Sequence, residues 1–138
     1  MYFILEIAHL IVRYRKKTME YATLYNGVKM PILGYGVYQV TKEECERCVL
    51  DALRAGYRSI DTAQSYANEE EVGEAIEKSG IARDDIFLTT KVWIEHYGYE
   101  ETKASVIESM RKLKTDYLDL SPAFFRLLRR LEGAGRAV

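Results

Sequence analysis

Three residues of this 138-residue chain stand at spacings that suit proton chemistry. Asp61 ends the short strand-like run Tyr57-Arg58-Ser59-Ile60, Tyr66 follows five residues later, and Lys91 ends the run Phe87-Leu88-Thr89-Thr90. A lysine that closes a buried strand needs an anionic partner, because an unpaired ammonium is costly to bury. Asp61 is the candidate. A cation beside a phenol favours loss of its proton, so a tyrosine placed there suits general acid catalysis, a role typically worth about 10²- to 10⁴-fold in rate. On spacing alone a plainer alternative stands. An Asp–Lys pair across neighbouring strands is often structural, and a loop tyrosine often only packs.

The elements that would position these groups alternate in type. Residues 22–31 hold two extended runs around Asn26-Gly27, which predicts a hairpin with a type I′ turn. Residues 32–40 have the pattern of a strand carrying Gly34 and Gly36. Thr41-x-x-Glu44 has the form of a capping box and opens a helix that closes near Gly56. A strand over 57–61 follows. Asn68 is set to cap a second helix, whose first turn of Glu69, Glu70 and Glu71 suits the helix dipole. Val72, Ala75 and Ile76 form its apolar stripe, and Gly80 ends it. Residues 86–93 are a nearly continuous apolar and β-branched run, as in a parallel strand buried on both faces. A third helix is predicted over about 100–113, with Val106, Ile107, Met110 and Leu113 on one face, and a fourth strand over 116–120.

Strands alternating with helices call for a parallel sheet with right-handed crossovers, which doubly wound sheets and (β/α)8 barrels both satisfy. No G-x-G-x-x-G joins a strand to a helix, since Gly34-Tyr35-Gly36 runs on into Val37-Tyr38-Gln39-Val40. A Rossmann-type nucleotide site is therefore not supported. In a barrel, Asp61, Tyr66 and Lys91 would fall at the C-terminal rim of the strands, where catalytic groups are found.

Composition is that of a globular domain: 48% hydrophobic, 30% charged and only two prolines, so disorder is not expected. A net charge of −1 gives no reason to expect a nucleic-acid partner. Two cysteines and no secretory signal fit a reducing cytoplasm. They form Cys45-x-x-Cys48 inside a helical pattern, with no second Cys/His pair at metal spacing, so no metal site is expected. Residues 1–12 are apolar apart from Glu6 and His9, and the basic run Arg13 to Lys17 follows. Twelve residues fall short of the roughly twenty that span a bilayer, so stable membrane insertion is not expected. Residues 1–18 are set apart as an extension, with Met19 the natural start.

The stretch Gly56 to Gly73, GYRSIDTAQSYANEEEVG, resembles the aldo-keto reductase signature along its full length. MPILGYGVYQV resembles that family's first strand, DIFLTTKVW its third and LKTDYLDL its fourth. The resemblance covers about residues 21–120 in the family's order. It implies the N-terminal part of a (β/α)8 TIM barrel: a β-hairpin, roughly four strands and three helices. It also implies reduction of aldehydes or ketones with NADPH. Tyr66 would protonate the carbonyl oxygen, and Lys91, held by Asp61, would tune it. Gly36, Val37 and Asp61 would lie near the nicotinamide, while Tyr38 and Trp93 would wall the pocket for a small carbonyl substrate.

The chain also departs from that pattern. The family carries a histidine just after its fourth strand, and here Leu120 runs into SPAFFRLLRRLEGAGRAV. Neither His9 nor His96 matches the position. A full barrel takes about 250 residues, so the segments that hold the pyrophosphate and the adenosine end are not expected within this chain. Leu128 to Ala134 can be encoded by a string whose next frame gives Y-G-A-W-R-A, similar to the family's helix after its fourth strand. Residues 121–138 are accordingly expected to be a divergent, out-of-frame helical tail. Two functions stay open on these grounds: a carbonyl reductase whose chain here is a truncated, inactive fragment, or a non-catalytic half-barrel that self-associates or binds a partner through its open sheet edge.

Overall fold

The computed structural model describes residues 19–93, 96 and 98–121. The expectations for residues 1–18 and for the tail beyond Ser121 lie outside the described residues. Strands β1 (Tyr21–Thr23) and β2 (Lys29–Pro31) pair antiparallel as the expected hairpin. Its turn is not type I′. That turn needs positive φ at both central residues, whereas of Asn26 and Gly27 only Gly27 is left-handed, at φ 83°. Leu24 donates its N–H to Val28 O and accepts from Gly27 N–H, which makes a three-residue loop closed by a glycine bulge. The Asn26 side chain accepts the Val28 N–H, and that bond favours the looser loop.

Three short strands then form a parallel sheet in the order β3 (Tyr35–Gly36), β4 (Ser59–Asp61) and β5 (Phe87–Thr89). Helix α1 (Lys42–Arg54) joins β3 to β4, and α2 (Glu69–Ser79) joins β4 to β5. Helix α3 (Tyr99–Lys112) follows β5. Cys45, Val49, Ala52 and Leu53 recur at helical spacing on α1, as Val72, Ala75 and Ile76 do on α2. These stripes pack on Val37, Ile60 and Leu88 of the sheet to make the core, which Ile86 and Leu113 close. Cys45 is a member of that core, and burial pushes its thiol up to about 11, so the C-x-x-C pair supplies a packing residue rather than a nucleophile.

Helix α1 ends where Gly56 turns left-handed at φ 104°, with Gly56 N–H on Leu53 O and Tyr57 N–H on Ala52 O. This is a Schellman closure, and only glycine enters it without strain. Gly80 closes α2 as expected, left-handed at φ 67°, but the expected caps at the two N-terminal ends differ. Thr41 and Asn68 both occupy N-cap positions, and neither side chain caps its helix. Glu44 pairs with Arg47 instead of reaching back to Thr41. Tertiary contacts claim the Asn68 side chain, as described below.

The predicted fourth strand is reduced to one parallel bridge, Thr89 with Leu120. The Asp119 carboxylate, not a backbone carbonyl, takes the Leu88 N–H at 2.9 Å, which interrupts a regular ladder. Arg83 locks this arrangement through Asp119 at 2.8 Å, Thr115 Oγ1 at 2.9 Å and Tyr117 O at 3.0 Å. The face predicted for α3 is met in part: Leu113 is buried and Val106 and Met110 are half-buried, while Ile107 is exposed. Within the helix the buried positions are Thr102, whose hydroxyl donates to His96 O, and Ser109, whose hydroxyl accepts from Gln64 Nε2. Among the described residues the sheet stays open at β3, and no helix is long and apolar enough to cross a membrane.

Two substitutions test this packing. A Cβ on Gly73 would strike Lys112 O and approach Leu113 Cα and C at 2.9 Å. Gly73→Ala should therefore lower unfolding stability by about 1–3 kcal/mol in urea titrations. Ala67 follows the short 3₁₀ turn Gln64–Tyr66 in the left-handed region at φ 56°, where a Cβ costs roughly 1–2 kcal/mol. Ala67→Gly should raise the urea midpoint, and a lower midpoint would show that no strain is stored there.

Candidate active site

Alternation along the strands decides which side chains share a face. In register, Gly36 lies opposite Asp61 and Asp61 opposite Thr89. That row faces away from the helices, while Ile60 and Leu88 point into the core. Lys91, two residues beyond Thr89, returns to the same side. Its Nζ donates to Asp61 Oδ1 at 2.6 Å, to Asp61 Oδ2 at 2.7 Å and to Thr62 O at 3.1 Å. An ammonium carries three protons, and all three are used. The pair is partly open, with side-chain exposures of 36% for Lys91 and 42% for Asp61. At that exposure it contributes orientation more than stability.

Tyr66 is the last residue of the 3₁₀ turn Gln64–Tyr66. Lys91 Nζ lies 5.3 Å from its ring centroid, within the range of a cation–π contact. The structure thus brings Asp61, Lys91 and Tyr66 into one cluster. Tyr38, 66% exposed, stacks obliquely on Tyr66 with centroids 5.1 Å apart. Trp93 stands 38% exposed past the end of β5. Gly36 borders the cluster, and a Cβ there would come to 3.9 Å from Asp61 Oδ2. Val37 differs from its neighbours. Its side chain is fully buried in the core, its N–H donates to Asp61 O, and its carbonyl accepts from Val40 N–H and Asn68 Nδ2. His96 is exposed in the loop before α3, where its backbone carbonyl accepts the Thr102 hydroxyl at 2.6 Å.

Two amides flank Tyr66 and organise the loops around it. Asn68 is fully buried; its Nδ2 donates to Val37 O and Val40 O, both at 3.1 Å, and its Oδ1 accepts from Thr62 Oγ1 at 2.9 Å. It thereby ties the Tyr38 loop to the end of β4. Gln64 reaches the other way, to the loop after β5 and to α3. Beside them Thr90 donates to the buried carboxylate of Glu69 at 2.7 Å. Sequence pattern assigned Asn68 and Glu69 to the start of a helix and gave Gln64 no role. Apart from Thr62, six residues from Asn68, their side-chain partners lie 21 to 45 residues away in the chain, so little local signal marks them.

Comparison with known proteins follows the same outline. Residues 24–122 match the model of the Aldo/keto reductase family. A glyoxal reductase of Bacillus subtilis is 51% identical over 98 residues, which is 70% of this chain and 36% of that protein. The crystal structure of an aldo/keto reductase from Brucella melitensis superposes with a TM-score of 0.76 at 46% identity, covering 86% of this chain and 50% of the other. A Bombyx mori aldo-keto reductase, crystallised in complex with NADP, gives a TM-score of 0.72 at 32% identity over 75% of this chain and 37% of its own. The chain thus spans between about a third and a half of the relatives it matches, and its open sheet is part of their (β/α)8 barrel. The chain belongs to the aldo/keto reductase family.

Proposed function

We propose that this chain carries the proton-donating rim of an NADPH-dependent reductase that turns aldehydes or ketones into alcohols in the cytoplasm. The observation that carries the reading is the Asp61–Lys91 pair beside Tyr66. Tyr66 delivers the proton to the carbonyl oxygen of the substrate. Lys91 stabilises the negative charge left on the phenolic oxygen, and Asp61 with Thr62 O stops the ammonium from swinging away. Tyr38 and Trp93 are open enough to flank a small carbonyl compound.

The fit to a nicotinamide is supported at one end. Gly36 leaves room in front of Asp61 for a flat ring. Val37, with its side chain in the core and its backbone groups already paired, contributes a closed floor rather than a hydrogen bond. When bound, such a cofactor supplies a hydride for the carbonyl carbon. A relative crystallised with NADP supports that choice. Both described cysteines are free thiols, in keeping with a reducing compartment.

The 138 residues alone are proposed not to turn over substrate, since the relatives' remaining length holds the rest of their barrel. A second reading, the non-catalytic half-barrel that pairs through its edge, is favoured by the side of β3 that has no strand partner among the described residues. One set of measurements separates the two. The purified chain should show no loss of nicotinamide absorbance with glyoxal. Residues 19–120 joined to the C-terminal part of the Bacillus subtilis glyoxal reductase should restore turnover, and Tyr66→Phe in that chimera should cut kcat about 10²- to 10⁴-fold. A chimera that folds but is indifferent to Tyr66→Phe would remove the reductase reading. A concentration-dependent dimer of the native chain in sedimentation would favour the second.

A further inference from the structure

We propose that Gln64 is a positioning residue: its amide fixes Trp93, and so one side of the pocket, against the turn that carries Tyr66. This rests on the reductase reading only for what the pocket receives. Beyond its own turn, Gln64 makes four bonds to two segments, the loop after β5 and α3. Its backbone N–H donates to Lys91 O at 3.1 Å. Its side-chain Oε1 accepts the Trp93 N–H at 2.7 Å. Its Nε2 donates to Ser109 Oγ at 2.9 Å and to Ser105 O at 3.1 Å on α3. The amide's one carbonyl and both its protons are therefore engaged.

The arrangement has a direct geometric consequence. Gln64 begins the same 3₁₀ turn that ends at Tyr66, so Tyr66, Lys91 and Trp93 are tied to one rigid residue. Trp93 lies four residues beyond the end of β5, outside the strand ladder. Its backbone N–H, on a solvent-facing loop, is held by the Gln64 carbonyl rather than by a neighbouring strand. Asn68 performs the matching task on the Tyr38 side through Val37 O and Val40 O. The two amides, four positions apart, thus set the two walls on either side of Tyr66. Exchange of Gln64 for a shorter side chain would leave the Asp61–Lys91 pair intact and free the Trp93 wall.

Trp93 is the single tryptophan of the chain, so its fluorescence reports this wall without a label. The experiment is acrylamide quenching and anisotropy decay of Trp93 in the full chain, with no nucleotide or carbonyl present. Gln64→Ala should raise the quenching constant at least about twofold and add a fast anisotropy component, as loss of the half-buried amide's bonds loosens its loop. Gln64→Glu keeps the acceptor for the Trp93 N–H and can accept from Ser109 Oγ but loses the donor to Ser105 O, so its quenching should lie between wild type and Gln64→Ala. Ile76→Val, a core change with its own stability loss, serves as the control and should leave quenching unchanged. Equal quenching in Gln64→Ala and wild type would overturn the proposal, as would an equal rise in Ile76→Val. If Gln64→Ala does not fold, Gln64→Met, of similar length but without the amide, takes its place and should exceed Gln64→Glu in quenching; the reverse order or equality overturns the proposal. Because no ligand is used, this result stands or falls separately from the reductase reading.

Discussion

An ammonium at the end of a strand has three protons to place, and nearly everything around this site follows from how they are placed. Lys91 finds both oxygens of Asp61 and the carbonyl of Thr62 because β4 and β5 run parallel in a register that sets Asp61 beside Thr89. A shift of one residue would turn Asp61 toward the helices and Ile60 into the pocket. Burial of Ile60 and Leu88 against α1 and α2 forbids that shift. The apolar core thus sets the register, and the register delivers the ion pair.

The loops are held by a different device. Strands of two or three residues supply few ladder bonds, and the rim beyond them is stitched by side chains instead. Asn68 and Gln64 each bridge to a different neighbouring loop, Thr90 closes on Glu69, and Arg83 with Asp119 binds the segment leading to Leu120. Each amide satisfies donors and acceptors that would be costly to leave unpaired. Fixed polar groups at the strand ends also keep Tyr66 and its neighbours in place with little reorganisation, which is the condition for effective proton transfer. Family membership agrees with this picture, since the relatives extend the same sheet into a full barrel.

Local chemistry made much of this legible in the sequence. Asp61, Tyr66 and Lys91 were visible from residue type and strand-end spacing, and the helix stripes of α1 and α2 from their period. The βα alternation called for a parallel sheet, and the family resemblance singled out the barrel. Where local rules misled, a distant partner had outbid them. Asn68 has the residue type of a cap, yet Val37 O and Val40 O claim its side chain. On α3, Gln64 engages the buried Ser109 while Ile107 is left exposed; the hairpin, by contrast, departs from type I′ through a local bond, from Val28 N–H to Asn26.

The sequence by itself determined which residues are candidates for chemistry, which segments form the helices and the three parallel strands, and the order in which they follow. Those properties depend on residue type and short-range periodicity, which any stretch of a dozen residues displays. Only the tertiary structure decided which backbone groups the buried side chains would satisfy. A hydrogen bond between residues 41 or 45 positions apart, such as those of Gln64 with α3, has no trace in local pattern. It exists because the folded core has already placed the two ends within reach.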